Sequence, residues 1–310
     1  VRLVGEDPTD KRRDEKNSFY HKTLFQRTTV IVAGVFMNFA LAVAIFYVVV
    51  FSLGSKVSIP LYIDHKFSFV NETRQVLVSD VTTGSPADSA GIKMGESIVA
   101  VDGAEVGSVN DLQQIVRASA DRDIKITLEN PVDNKRREVV ARPTYSQQAQ
   151  NVALGVNLGE LAVLNYQTFP QKLFAGFIHS YNTVDYSIRV MADLIGFSVK
   201  TGDYRAVSEG VSGPVGIASI FQQAVALGPI SVLQVAGLLS LNLAVLNILP
   251  FPALDGGRFF FIVVETITRR RIHATFEKWA HTIGFVILIG LIILITYNDI
   301  LKLINKQLNF

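Results

Sequence analysis

The sequence predicts a polytopic α-helical membrane protein with one inserted, extracytoplasmic α+β domain, and three observations carry that prediction. Residues 28–55, 210–254 and 279–298 contain no Asp, Glu, Lys or Arg. Each is long enough to cross a hydrocarbon layer of about 30 Å at about 1.5 Å per helical residue. Hydrophobic side chains make up 49% of the 310 residues and charged ones 18%, and the apolar residues are clustered rather than periodic. Residues 76–143, by contrast, alternate short apolar runs with turn dipeptides, as a small water-facing domain does. A net charge of +2 gives no reason to expect nucleic acid as a partner. The absence of cysteine excludes disulfides and thiolate ligands, so any metal site must use histidine and carboxylate.

Taken in order, residues 1–27 read as a cytoplasmic, membrane-associated strand and loop. Glu6 to Lys16 is almost wholly charged, and Phe19, Leu24 and Phe25 beside Lys22 and Arg27 suit the bilayer interface. The first span occupies 28–55. Extracytoplasmic linker strands fill 56–75, and a globular module fills 76–145. In 146–209, Asn151 to Leu164 alternates as a strand. Pro170 to Phe197 is apolar but broken by Lys172, His179, Asp185, Arg189 and Asp193, which reads as an amphipathic helix rather than a fourth span. Residues 210–228 read as a surface or re-entrant helix from Pro214. The second span covers 229–257, a cytoplasmic loop 258–278, the third span 279–298 between Trp279 and Tyr297, and an extracytoplasmic C-terminus 299–310.

Orientation follows from the basic residues. Lys11, Arg12, Arg13, Lys16, Lys22 and Arg27 precede the first span, whereas only Lys56 and Lys66 closely follow it. Arg258, Arg269, Arg270 and Arg271 lie between the second and third spans, so both flanks are placed in the cytoplasm.

Within the module, Ser85 suits an N-cap with Pro86 in the first turn, and Gly91 suits the C-terminal cap. Ile98 to Val101 reads as a strand closed by the turn pair Asp102-Gly103. Ser108 to Ser119 carries Leu112, Ile115, Val116 and Ser119 on one helical face. Ile124, Ile126 and Leu128 alternate as a strand, and Val139 to Ala141 returns after a turn at Asn134.

The chemistry concentrates in Asn247-Ile248-Leu249-Pro250-Phe251-Pro252-Ala253-Leu254-Asp255-Gly256-Gly257. An acid at bilayer depth costs at least a few kcal/mol and persists mainly where a proton, a cation or a metal compensates it. Pro250 and Pro252 remove two backbone donors and stop the helix, which lipid tolerates only where protein or a wet cavity covers the gap. The segment therefore reads as a membrane helix broken at an acid. Gly256 and Gly257 are expected to permit a tight turn at positive φ. Gly34 and Asn38 share a face of the first span, where a neighbouring helix can approach closely. Asn242 and Asn247 are five residues apart and share no face of an unbroken helix.

These residues carry two resemblances. Ser85-Pro86-Ala87-Asp88-Ser89-Ala90-Gly91-Ile92-Lys93-Met94-Gly95-Glu96-Ser97-Ile98-Val99-Ala100-Val101-Asp102-Gly103 resembles the signature of a bacterial PDZ domain, which binds extended peptides at a sheet edge. The Asn247–Gly257 run resembles the second signature motif of the site-2 proteases, intramembrane zinc metalloproteases. Ser212-Gly213-Pro214-Val215-Gly216-Ile217-Ala218 is similar to the segment preceding it, and Gly34-Val35-Phe36-Met37-Asn38 to the family's Gly-x-x-x-Asn element, with Val35 where many members have Pro.

The second resemblance implies a Zn2+ cofactor with Asp255 as third ligand. It also implies Asn247 and Asn242 as groups that hold the substrate backbone, and Pro250, Pro252, Gly256, Gly257, Gly34 and Asn38 as active-site support. The family's two histidines and general-base glutamate come from a His-Glu-x-x-His helix. His21, His65, His179, His273 and His281 contain no pair four apart, so the catalytic trio is expected upstream of Val1, whose strand-like Val1–Glu6 resembles the segment after that helix. The implied function is regulated intramembrane proteolysis of single-span membrane proteins, such as anti-sigma factors or signal-peptide remnants, in the bacterial cytoplasmic membrane. A peptide ligand at the PDZ domain and the lipid bilayer are the other partners. The competing reading is a catalytically inactive, membrane-anchored PDZ scaffold; a transporter built around the broken helix is disfavoured by the lack of an internal repeat.

Overall fold

The computed structural model describes residues 22–130, 135–146, 151–203, 210–269 and 272–304. The charged loop expected before Lys22, the turn expected at Asn134, and Arg270 and Arg271 lie outside them. The chain divides into two compact units, Leu53–Phe174 on one side and Val1–Ser52 with Ala175–Phe310 on the other.

The Leu53–Phe174 unit is built on a seven-stranded antiparallel sheet. Its strands are β1 (Lys56–Leu61), β2 (Asn71–Val81), β3 (Ser97–Val101), β4 (Ala104–Glu105), β5 (Ile124–Glu129), β6 (Arg136–Ala141) and β9 (Val156–Asn165). The order is β1-β9-β2-β3-β5-β6, with β4 on β3. A separate ribbon pairs β7 (Thr144–Ser146) with β8 (Asn151–Ala153). Two short helices, α2 (Pro86–Ser89) and α3 (Val109–Ala118), start at serine caps. Ser85 Oγ accepts the Asp88 N–H at 3.2 Å and Ser108 Oγ the Asp111 N–H at 3.1 Å. The turn between β3 and β4 places Asp102 and Gly103 at φ 50° and 81°, the primed geometry that matches strand twist. Val76, Val78, Ile98, Leu112, Ile126 and Leu128 are buried between sheet and helices, each worth about 1.5–3 kcal/mol relative to exposure.

Two expectations change here. Linker strands were expected to stand apart from a module at 76–145, yet β9 lies between β1 and β2 and ties all three into the module's own sheet. Asn151–Leu164 was expected to be one strand. Gly155 breaks it, because its φ of 78° and the close approach of the Ser85 side chain leave no room for a Cβ.

In the second unit, α1 (Leu24–Ser52), α7 (Pro229–Ile248) and the Thr275–Ile304 stretch of α9 (Ala274–Ile304) are long and apolar enough to cross a membrane. Between them lie α5 (Ala175–Thr201), α6 (Pro214–Leu227) and α8 (Asp255–Thr268); α4 (Phe169–Leu173) belongs to the sheet unit. Helix α1 packs on α7 through Ala42, Phe46 and Leu241. Gly237 makes room for the Phe46 ring, which a Cβ there would meet at 2.7 Å. On its other side Phe46 meets the His179 ring of α5 edge-on at 4.7 Å.

The segment 258–278, expected to be a loop, continues α8 as far as Thr268. The acid in its first turn and the run from Phe259 to Val264 favour a helix with one apolar side. Residues 299–304, expected to lie beyond the third span, continue α9. Asp299 is buried there at 1% exposure, and its Oδ2 accepts the Gly216 N–H at 2.7 Å, satisfying a free donor at the start of α6.

Candidate active site at the helix break

Helix α7 ends at Ile248 because Leu249 turns extended (φ −63°, ψ 139°) ahead of Pro250. The chain resumes helical geometry at Asp255, so six residues form the break. Most of its donors are consumed internally. Phe251 N–H donates to Leu249 O at 2.7 Å and Leu254 N–H to Phe251 O at 3.1 Å, while Pro250 and Pro252 have none to offer. Asp255 opens α8, where free N–H groups and the helix dipole favour a carboxylate.

Three glycines bring the break together. A Cβ on Gly256 would collide with the Leu249 carbonyl oxygen and sit 2.6 Å from Ile248 C, and one on Gly257 would collide with the Phe251 carbonyl oxygen. Both residues are helical and neither has positive φ, so the expected turn role gives way to close approach. The positive φ falls instead on Ala253, at 83°. Gly284 of α9 likewise leaves no room for a Cβ beside the Pro252 carbonyl oxygen. His281, one turn earlier, accepts the Ala253 N–H on Nδ1 at 2.9 Å.

Asp255 faces α1. A Cβ on Gly34 would stand 3.6 Å from Asp255 Oδ2, an ordinary van der Waals separation, so the carboxylate lies beside this point of α1. A second tie holds the far end of α8 to the same helix, where Arg27 Nη1 and Glu265 Oε2 are 3.2 Å apart. One turn beyond Gly34, Asn38 O accepts from Ser240 Oγ of α7 at 2.9 Å. Gly34, Asn38, Pro250, Pro252, Gly256 and Gly257 thus all belong to the α1–α7–α8 junction or the break that forms it. Asn242 and Asn247 do not gather as a pair. The helix stays regular through both and unwinds only after Ile248, so Asn242 is exposed on one side and Asn247 half-buried on another.

A family model described as Peptidase family M50 matches residues 5–291. The chain belongs to that family, the site-2 proteases. Among relatives of this M50 chain, a Clostridium perfringens protein with a zinc metalloprotease name is 29% identical over 301 residues, covering 97% of this chain and 80% of its own length. The regulator of sigma-W protease RasP of Bacillus subtilis is 29% identical over 285 residues, covering 92% of this chain. The zinc metalloprotease RasP of Geobacillus kaustophilus is 28% identical over 288 residues. The chain spans 61% of the length of each RasP protein. A PDZ domain of an SdrC-like protein from Listeria monocytogenes aligns with 32% of this chain and 93% of its own, at 16% identity and a TM-score of 0.24.

The described M50 residues do not form a complete zinc site, since no group of three or more His, Asp or Glu side chains gathers among them. Asp255 offers one oxygen donor, and His281 has its Nδ1 lone pair already committed to the Ala253 N–H. The sequence alone gives Ala253, His281, Gly284 and Glu265 no role at the junction, and Arg27 only a part in orientation and at the bilayer interface. A histidine alone in an apolar span and a glycine one turn beyond it were the available signal.

Proposed function

We propose that this chain provides the membrane core of an intramembrane zinc metalloprotease that cleaves single-span membrane proteins within or near their transmembrane segment. The observation that carries the reading is Asp255. It is a carboxylate at a helix break among candidate spans, beside Gly34 of α1, and Gly256, Gly257 and Gly284 admit no Cβ against the backbone of that break.

In this reading Asp255 is the zinc ligand contributed by these residues. The two imidazoles and the general base belong to a His-Glu-x-x-His helix, which is not among the 310 residues. With Asp255 as one of its ligands, a bound zinc ion would polarise water for hydrolysis of the scissile peptide bond. The residues here hold Asp255 in place, and Asn247 offers its amide to substrate backbone that has lost its helical hydrogen bonds. Gly34 and Asn38 of α1, with Pro250, Pro252, Gly256 and Gly257, keep the junction close-packed around the acid. Asn242, exposed on another side of α7, is the weaker substrate-contact candidate. The PDZ-like module takes peptide segments on the extracytoplasmic side and screens substrates, in a bacterial cytoplasmic membrane.

The test is cleavage of a single-span reporter by the intact protein with zinc, in detergent or proteoliposomes. Asp255→Asn is expected to reduce turnover by more than about 100-fold, beyond the 10–100-fold typical of changes outside the ligand sphere. Retained turnover overturns the ligand assignment. Peptide capture by the module without cleavage by the unmodified protein would favour the scaffold reading.

A further inference from the structure

Five residues separate the end of Leu249 from Asp255, and their backbone donors can be accounted for completely. Pro250 and Pro252 have no N–H, Phe251 donates to Leu249 O, and Leu254 donates to Phe251 O. Ala253 alone turns its N–H outward, to Nδ1 of His281 on α9 at 2.9 Å. It does so from a φ of 83°, a backbone region that a residue with a Cβ adopts only when its surroundings impose it. Two residues later stands Asp255.

The neighbouring turn of α9 completes the seat. Gly284 lies three residues after His281, on the same helical face, and its missing Cβ admits the carbonyl oxygen of Pro252. A single peptide group of the break, Pro252–Ala253, is therefore held at both its polar ends by one face of one helix, through a hydrogen bond at the Ala253 N–H and a close contact at the Pro252 carbonyl oxygen. An imidazole whose Nδ1 accepts carries its proton on Nε2. That Nε2 is buried without a hydrogen-bond partner, and the Phe261 ring of α8 lies edge-on to the imidazole at 5.5 Å. The ring is wedged rather than networked, as suits a group that fixes a loop and exchanges no proton.

We infer that His281 is a positioning residue. Together with Gly284 it makes α9 the seat that sets the direction in which Asp255 leaves the helix break. The inference rests on the reading of Asp255 as a zinc ligand only for its catalytic consequence; the seating of the loop is independent of it. Arg27 and Glu265 fix the far end of α8 to α1, whereas His281 and Gly284 act on the break itself, at Ala253 and Pro252.

The experiment compares His281→Leu, which removes the acceptor but keeps an apolar body, with His281→Asn, whose Oδ1 can stand in for Nδ1. Both are made in the intact membrane protein and compared with Asp255→Asn. Hydrogen exchange of the peptide covering residues 249–258 reads the seat directly. Exchange is expected to speed at least tenfold in His281→Leu and to return most of the way in His281→Asn. With zinc and a single-span reporter, His281→Leu is expected to lower kcat by about 10–100-fold with KM within twofold, and to lose zinc faster to a chelator. His281→Asn should recover most of both.

Unchanged exchange in His281→Leu, or an Asn variant no better than Leu, overturns the inference. If Asp255→Asn abolishes turnover while His281→Leu keeps the normal kcat, the positioning role fails and the ligand reading stands. If Asp255→Asn retains turnover while exchange responds as expected, the ligand reading fails and the seat stands.

Discussion

Ala253 and Gly256 lie three positions apart and pose opposite steric problems. Ala253 keeps a Cβ at φ 83°, while Gly256 is ordinary helix that cannot accept one because the Leu249 carbonyl occupies the space. Gly256→Ala is therefore expected to cost at least about 1–3 kcal/mol as overpacking against backbone. It would appear as a lowered thermal midpoint together with lost turnover. Ala253→Gly relieves left-handed strain but frees the unfolded chain, two effects of about 1 kcal/mol and opposite sign. Its midpoint should move by no more than a few degrees in a parallel melt. Asp255 stands out in the sequence because a lone acid at the end of an apolar run is conspicuous at any register. At Gly256 and Gly257 the sequence suggests positive φ where the structure shows close backbone approach, since composition shows that a side chain is missing but not whether dihedral angle or neighbour forbids it. His281 stayed hidden because its partner is a backbone N–H 28 residues away, and backbone donors leave no trace in a one-letter code.

Helix α8 joins residues that the sequence divides between the second span, to 257, and a loop from 258. Its apolar side is short, and its stability depends on what it packs against: Asp255 lies at Gly34 and Glu265 at Arg27, binding both ends to α1. The Arg27 and Glu265 side chains are each only 12% exposed. Glu265→Leu removes this pair and the acceptor of the Ile272 N–H at 3.2 Å, and should cost about 1–3 kcal/mol, coupled to the loss in Arg27→Met. A double-mutant cycle in chemical denaturation checks this.

A second tie sits in the sheet unit, where Arg137 donates to both Glu96 oxygens at 2.7 Å and to Gly91 O at 2.6 Å. The Arg137 bond holds the Glu96 carboxyl below its usual range, against the opposing effect of burial. A depressed folded value contributes stability above the unfolded value, near pH 4.3, that is lost as pH falls through the folded one. The melting midpoint of the sheet unit should thus fall as pH drops below about 4. Arg137→Leu should flatten that dependence. The helix caps of this unit were legible in sequence because Ser85-Pro86 and Ser108 act within one turn. The merging of β1 and β9 into its sheet was not, because strand pairing across a hundred residues is set by which edges remain open.

For the whole molecule, topology is the open physical question, and the chain offers a clean way to ask it. These 310 residues contain no cysteine, so within them a single introduced thiol reports alone. Met94→Cys, at a position 74% exposed in the sheet unit, should react with a membrane-impermeant maleimide added outside intact cells. Arg269→Cys, at the exposed end of α8, should react only after the membrane is opened. The opposite pattern would invert the orientation drawn from the basic residues.

The pairing of β1 with β9 begins at Lys56 opposite Asn165. The strand on which the chain first joins the sheet and the strand on which it last leaves it are therefore antiparallel neighbours, with those two residues about 5 Å apart. A domain with its two connections so close is a cassette. In evolution or in the laboratory it can be exchanged for, or duplicated beside, any fold whose ends meet across a strand spacing, while the helical half of the gene keeps its reading frame and its own packing rules.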